Sequence, residues 1–133
     1  MLPAKLPCEP VLVVEDSDDN REVLGALLEM EGYSVAYAVD GRDALDQLAD
    51  GLRPCLILLD VSMPRMNGIE FRRAQIADQR FSEIPVILYS AVHDIAWLYP
   101  SLDVPICRKP VDVDRILQLV AERCSGSMAR HAS

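Results

Sequence analysis

Cys55-Leu-Ile-Leu-Leu-Asp60 is five apolar residues closed by an acid. The run has no alternation of apolar and polar positions, so it does not suit a strand with one wet face. It suits a strand covered on both sides, as in a parallel sheet flanked by helices. Pro54 bounds it on one side, and the loop 60–67, with Met63-Pro64, bounds it on the other. Val11-Leu-Val-Val14 repeats the pattern upstream and is closed by Glu15-Asp16. Pro85-Val-Ile-Leu-Tyr89 repeats it downstream and is closed by Ser90-Ala91. A shorter apolar run at 104–107 precedes Arg108-Lys109, and 33–39 reads as a fifth strand.

Helical spacing fills the intervals. Val23, Leu24, Leu27 and Leu28 form one apolar face after Asp18 or Asp19, either of which can cap the helix, and Gly32 supplies its stop. Ala44, Leu45 and Leu48 face inward in a helix over about 42–49 that ends at Gly51. A third helix is predicted from Gly68 or Ile69 to about Gln79, and a last one over 112–123 with Val113, Ile116, Leu117 and Val120 inside. Strands alternating with helices define an α/β fold with a parallel sheet and right-handed crossovers, hence helices on both faces.

The length of 133 residues fits one domain, expected over 10–124, with a flexible segment at 1–9 and a flexible tail at 125–133. Net charge is −8, and the only adjacent basic pairs are Arg72-Arg73 and Arg108-Lys109. That balance argues against direct nucleic-acid binding. No apolar run reaches the length of a membrane span, and the first ten residues lack the charged and apolar regions of a signal peptide. No membrane insertion and a cytoplasmic location are expected. Cys8, Cys55, Cys107 and Cys124 form no Cys-x-x-Cys pair. The expectation is reduced thiols, with Cys55 and Cys107 as small core residues.

Parallel sheets place ligands beyond the carboxyl ends of their strands. There the strand-closing residues Glu15, Asp16, Asp60, Ser90 and Lys109 would share one rim. Taken singly, each is ordinary: strand-end acids cap helices, and a lone lysine is usually solvated. Taken together, three carboxylates repel, and a divalent cation resolves the conflict. Hard oxygen ligands suit Mg²⁺. Asp60 could then act as a nucleophile towards phosphorus, with the cation and Lys109 neutralising the transferred oxygens.

VLVVEDSDDN, LILLDVSMPRMNGIEF, PVILYSA and RKP, in this order and spacing, resemble the receiver domains of two-component response regulators, stand-alone chemotaxis-regulator-like ones included. The resemblance covers about 10–124 and implies a flavodoxin-like, doubly wound five-stranded sheet of order 2-1-3-4-5. It implies that Asp60 is the phosphoacceptor. Asp16 would be a direct Mg²⁺ ligand, Glu15 the neighbouring acid acting through a metal-bound water, and Ser62 the donor of a backbone carbonyl to the metal. Mn²⁺ is an acceptable substitute. Ser90, with Ala91 beside it, and Lys109 would form the switch and phosphate-binding group. Pro110 matches a cis-peptide proline and Gly68 the loop glycine. The implied partners are a sensor histidine kinase or a histidine phosphotransfer protein, and an output protein.

The sequence departs from the family in two places. Ile106 stands where the family usually carries a switch Tyr or Phe. Only 18 residues separate Ser90 from Lys109, fewer than usual, so the helix between the fourth and fifth strands is expected to be short or distorted. Trp97 and Tyr99 in that stretch are expected to pack over the sheet. Three functions compete. The first is a phosphorylation-dependent switch whose output is a protein contact or onward phosphotransfer, since no second domain is visible. The second is a receiver-shaped binding module independent of phosphate. The third is a phosphatase, disfavoured because Ser62 stands where such enzymes commonly place a second acid. The chain is not expected to be a multiple-turnover enzyme.

Overall fold

In the computed structural model five strands lie parallel in one sheet: β1 (Val11–Val14), β2 (Val35–Ala38), β3 (Leu56–Asp60), β4 (Val86–Ser90) and β5 (Ile106–Arg108), in the order β2-β1-β3-β4-β5. The structure describes residues 10–60, 68–90, 106–108 and 113–123, with backbone only for 68, 69, 90, 106–108, 113 and 123. Four helices are described: α1 (Asp18–Met30), α2 (Gly41–Ala49), α3 (Gly68–Ile76) and α4 (Val113–Arg123). The expected doubly wound architecture and strand order are both present. The stretch 91–105, with the expected short helix, Trp97 and Tyr99, lies outside the described residues, as do Lys109 and Pro110.

Side-chain alternation divides the sheet between two cores. Leu12, Val14, Ile57, Leu59 and Leu88 pack with Ala44 and Leu48 of α2, Phe71 of α3, and Phe81. Val11, Val13, Leu56, Leu58, Ile87 and Tyr89 pack with Leu24 and Leu28 of α1 and with Ile116, Leu119 and Val120 of α4. Every residue of β1 and β3 is buried, which explains why their sequences show no alternation. On α1, Leu24 and Leu28 are buried, but Val23 lies 56% exposed on the solvent side, contrary to expectation. On α4 the spacing missed Leu119, which is buried.

The helix ends follow local chemistry. Ser17, not Asp18 or Asp19, caps α1, its hydroxyl accepting from the Asn20 N–H at 3.3 Å. Asp18 and Asp19 occupy the first turn instead, where their charge suits the helix dipole. Asp40 caps α2 by accepting from Asp43 N–H at 2.8 Å, and Asp43 reaches back to accept from Val39 N–H at 3.0 Å. The arrangement is like a capping box, except that the returning acceptor takes the N–H of Val39, one residue before the cap. Gly32 and Gly51 stop α1 and α2 with φ of 94° and 115°. In both, the glycine and the next residue bond back to the last turn: Gly32 N–H to Glu29 C=O and Tyr33 N–H to Leu28 C=O, then Gly51 N–H to Leu48 C=O and Leu52 N–H to Gln47 C=O. That is the Schellman pattern.

Gln47 on α2 donates to the Tyr37 carbonyl at 2.7 Å, so the helix satisfies a polar group of β2, the strand at one edge of the sheet. Gln75, wholly buried on α3, donates to the carbonyls of Phe81 at 2.8 Å and Ile84 at 3.0 Å, holding the turn that feeds β4. Cys55 departs from expectation. It is half-buried and disulfide-bonded rather than a reduced core thiol.

Candidate functional site

Five parallel strands bring their carboxyl ends to one rim, where Glu15, Asp16, Asp60 and the backbone of Ser90 stand. Asp60 is the last residue of the central strand β3 rather than the first of the loop, and is 2% exposed. Glu15 and Asp16 follow β1, the strand beside it. Glu15 N–H donates to Ala38 C=O at 3.0 Å, which extends the ladder one residue past the strand and holds Glu15 against the sheet.

One oxygen from each of Glu15, Asp16 and Asp60 falls within 4.8 Å of the others. Glu15 and Asp60 are buried, and Asp16 is exposed at the mouth. Buried carboxylates this close are costly unless charge or donors answer them. All-oxygen donors with one open side match what a Mg²⁺ ion takes from a protein while keeping several waters. The residues present therefore fit the ion the sequence implied.

Donors already fix Glu15. Its Oε2 accepts from the Ser17 N–H at 3.0 Å, and its carbonyl accepts from Arg21 at 2.7 Å. Arg21 also pairs with Asp18, tying the first turn of α1 to the β1 end. Glu15 Oε1 accepts from the Tyr89 hydroxyl. Tyr89 is fully buried. Burial first, then that hydrogen bond and the charges of Glu15, Asp60 and Asp16, push its phenol far above the usual tyrosine range. It keeps its proton and acts as a donor.

Ser90 ends β4, paired in register with Arg108 of β5, so its backbone reaches the same rim. Ser62, Ala91 and Lys109 lie outside the described residues. Gly68 is the first residue of α3. Tyr89 was overlooked as a site residue. The available signal was its phenol at the end of an otherwise apolar, doubly covered strand, since a buried tyrosine hydroxyl needs a partner.

A doubly wound parallel sheet of order β2-β1-β3-β4-β5 with a carboxylate trio at the carboxyl ends of β1 and β3 defines the class of open α/β domains that carry their site at the strand ends. Within that class, residues 11–121 match the response regulator receiver domain. The chain belongs to the response regulator receiver domain family.

Relatives and solved structures agree. The chain is 37% identical over 111 residues to the uncharacterized transcriptional regulatory protein YkoG of Bacillus subtilis, covering 80% of this chain and 47% of that one. It is 39% identical over 93 residues to the response regulator MprA of Mycolicibacterium vanbaalenii, covering 70% and 39%. The signal receiver domain of a histidine kinase from Syntrophus aciditrophicus superimposes with a TM-score of 0.81 at 30% identity, covering 89% of this chain and 91% of that one. The chain thus spans less than half the length of these curated relatives. Among the described residues no helix is long and apolar enough to cross a membrane.

Proposed function

We propose that this receiver domain is a phosphorylation-dependent switch of a two-component system, with Asp60 accepting the phosphoryl group from a histidine kinase or a histidine phosphotransfer protein. One observation carries the reading: Asp60 is a buried carboxylate at the end of the central strand, with Glu15 and Asp16 within 4.8 Å. A carboxylate there is shielded from water yet opens onto the rim.

In the step itself an Asp60 oxygen attacks phosphorus. The bond from phosphorus to the donor's nitrogen or oxygen breaks, and the leaving group takes the electron pair. Glu15, Asp16 and Asp60, with the Ser62 backbone carbonyl, would hold Mg²⁺ or Mn²⁺. The bound ion offsets charge on the transferred oxygens. Ser90, Ala91 and Lys109 are proposed to meet the phosphoryl group once formed, adding a hydroxyl and an ammonium to its acceptor-rich surface. The domain assists its own phosphorylation and dephosphorylation without turning over external substrates.

Partners are proposed from the same chemistry. The net charge of −8 favours protein contacts over direct nucleic-acid contacts for this segment. Some relatives are named as DNA-binding regulators, such as the DNA-binding response regulator MtrA of Mycolicibacterium smegmatis, and the chain matches 35% of that protein's length.

Incubation with a small phosphodonor and Mg²⁺, read by intact mass, tests the assignment. One added phosphoryl group is expected on the native chain and none on Asp60→Asn or in excess EDTA. A chain that is never modified by any donor refutes the switch and leaves the phosphate-independent binding module in its place.

A further inference from the structure

Tyr89 and Glu15 meet across an uncommon span. Glu15 follows β1 and Tyr89 lies in β4, with β3 between them. Strand axes two places apart are separated by about 10 Å. A tyrosine is long enough to bridge most of that distance, and serine or threonine is not. The ring packs in the core with Val13, Leu58, Ile87 and Val120 and is fully buried. Asp60 is its register partner on β3. The phenol therefore passes over the phosphoacceptor strand before its hydroxyl reaches Glu15.

Glu15 is held from two sides: the Ser17 N–H at Oε2 and the Tyr89 hydroxyl at Oε1. At 1% exposure water contributes little to its solvation, so these donors help set where its oxygens point. Tyr89 also directly precedes Ser90, the last residue of β4.

We propose that Tyr89 is a positioning residue for the acidic site: through its hydroxyl it fixes Glu15 for a divalent cation and ties that site to the end of β4. The proposal rests on the reading of Glu15, Asp16 and Asp60 as a cation site. Partners that orient a metal-site carboxylate contribute about 10- to 100-fold in affinity. Tyr89→Phe keeps the ring and removes only the donor, so it is expected to bind Mg²⁺ about tenfold more weakly or worse.

The test is Mg²⁺ titration of the full chain by calorimetry, comparing native, Tyr89→Phe and Asp16→Asn proteins. A parallel titration follows ¹⁹F NMR of chain labelled with 3-fluorotyrosine, in which Tyr89→Phe identifies the Tyr89 signal among the four tyrosines. The Tyr89 resonance should move with Mg²⁺ at the calorimetric midpoint, and Tyr89→Phe should bind more weakly with its fold intact by circular dichroism. Equal or tighter binding by Tyr89→Phe, while Asp16→Asn abolishes it, overturns the role of Tyr89 and leaves the cation site standing. Should the Phe variant fail to fold, Tyr33→Phe, Tyr37→Phe and Tyr99→Phe assign the other three signals and leave that of Tyr89, and a Tyr89 signal unmoved at saturating Mg²⁺ overturns the proposal. A native chain that takes up no Mg²⁺ sinks the cation site, and the role of Tyr89 with it.

Discussion

Single residues in this chain owe their behaviour to the neighbours that answer their charge. Glu15 and Asp60 are buried acids clustered with Asp16, and Glu15 is answered by the Ser17 N–H and the Tyr89 hydroxyl. Asp78 shows the same effect nearer the surface. It accepts from the Arg80 side chain at 3.0 and 2.7 Å and from the Arg80 N–H at 2.9 Å. Those side-chain and backbone bonds hold its carboxyl at about 2, against 3.8 for a free aspartate. Above pH 3.8 both folded and unfolded chains carry the charge, and the pair's contribution is complete. As pH falls towards 2 the unfolded chain takes up a proton that the folded chain refuses, and the contribution is lost. The melting temperature of Asp78→Asn should therefore lie below that of the native chain at neutral pH, and the gap should close on acidification through this window. The gap should be small, since Arg80 is exposed and Asp78 is partly so.

At the scale of elements, helix ends are decided within a few residues, and most were legible. Gly32 and Gly51 read as stops because only glycine takes a positive φ cheaply, and both do so here. The Gly51 position has open space where a Cβ would project, so Gly51→Ala tests backbone strain alone. It should lower stability by about 1–2 kcal/mol, seen as a lower urea midpoint at unchanged slope. The cap of α1 was misread because Ser17, Asp18 and Asp19 are all competent caps. Ser17 holds the cap position because its own N–H is tethered to Glu15. Val23 is a different case: it shares the helical spacing of Leu24, Leu27 and Leu28, but Leu24 and Leu28 already cover the sheet and Val23 is turned to solvent.

For the whole molecule, stability rests on two cores separated by one sheet. Leu58 lies fully buried in the core beneath α1 and α4, at the middle of the central strand. Leu58→Ala should cost about 2–5 kcal/mol, a large share of the roughly 5–15 kcal/mol that holds such a domain together, measurable by urea unfolding. The sequence alone determined the α/β class, the order of elements and the candidate acids Glu15, Asp16 and Asp60. Short apolar runs without alternation, bounded by turn residues and separated by helical spacing, fit strands covered on both faces, and in a parallel sheet the residues closing them share a rim. The tertiary structure alone decided which donors reach those acids. Tyr89 and Glu15 lie 74 residues apart in the chain. Their hydrogen bond exists because β3 inserts between β1 and β4 at a spacing a phenol can cross, which no local pattern in the sequence encodes.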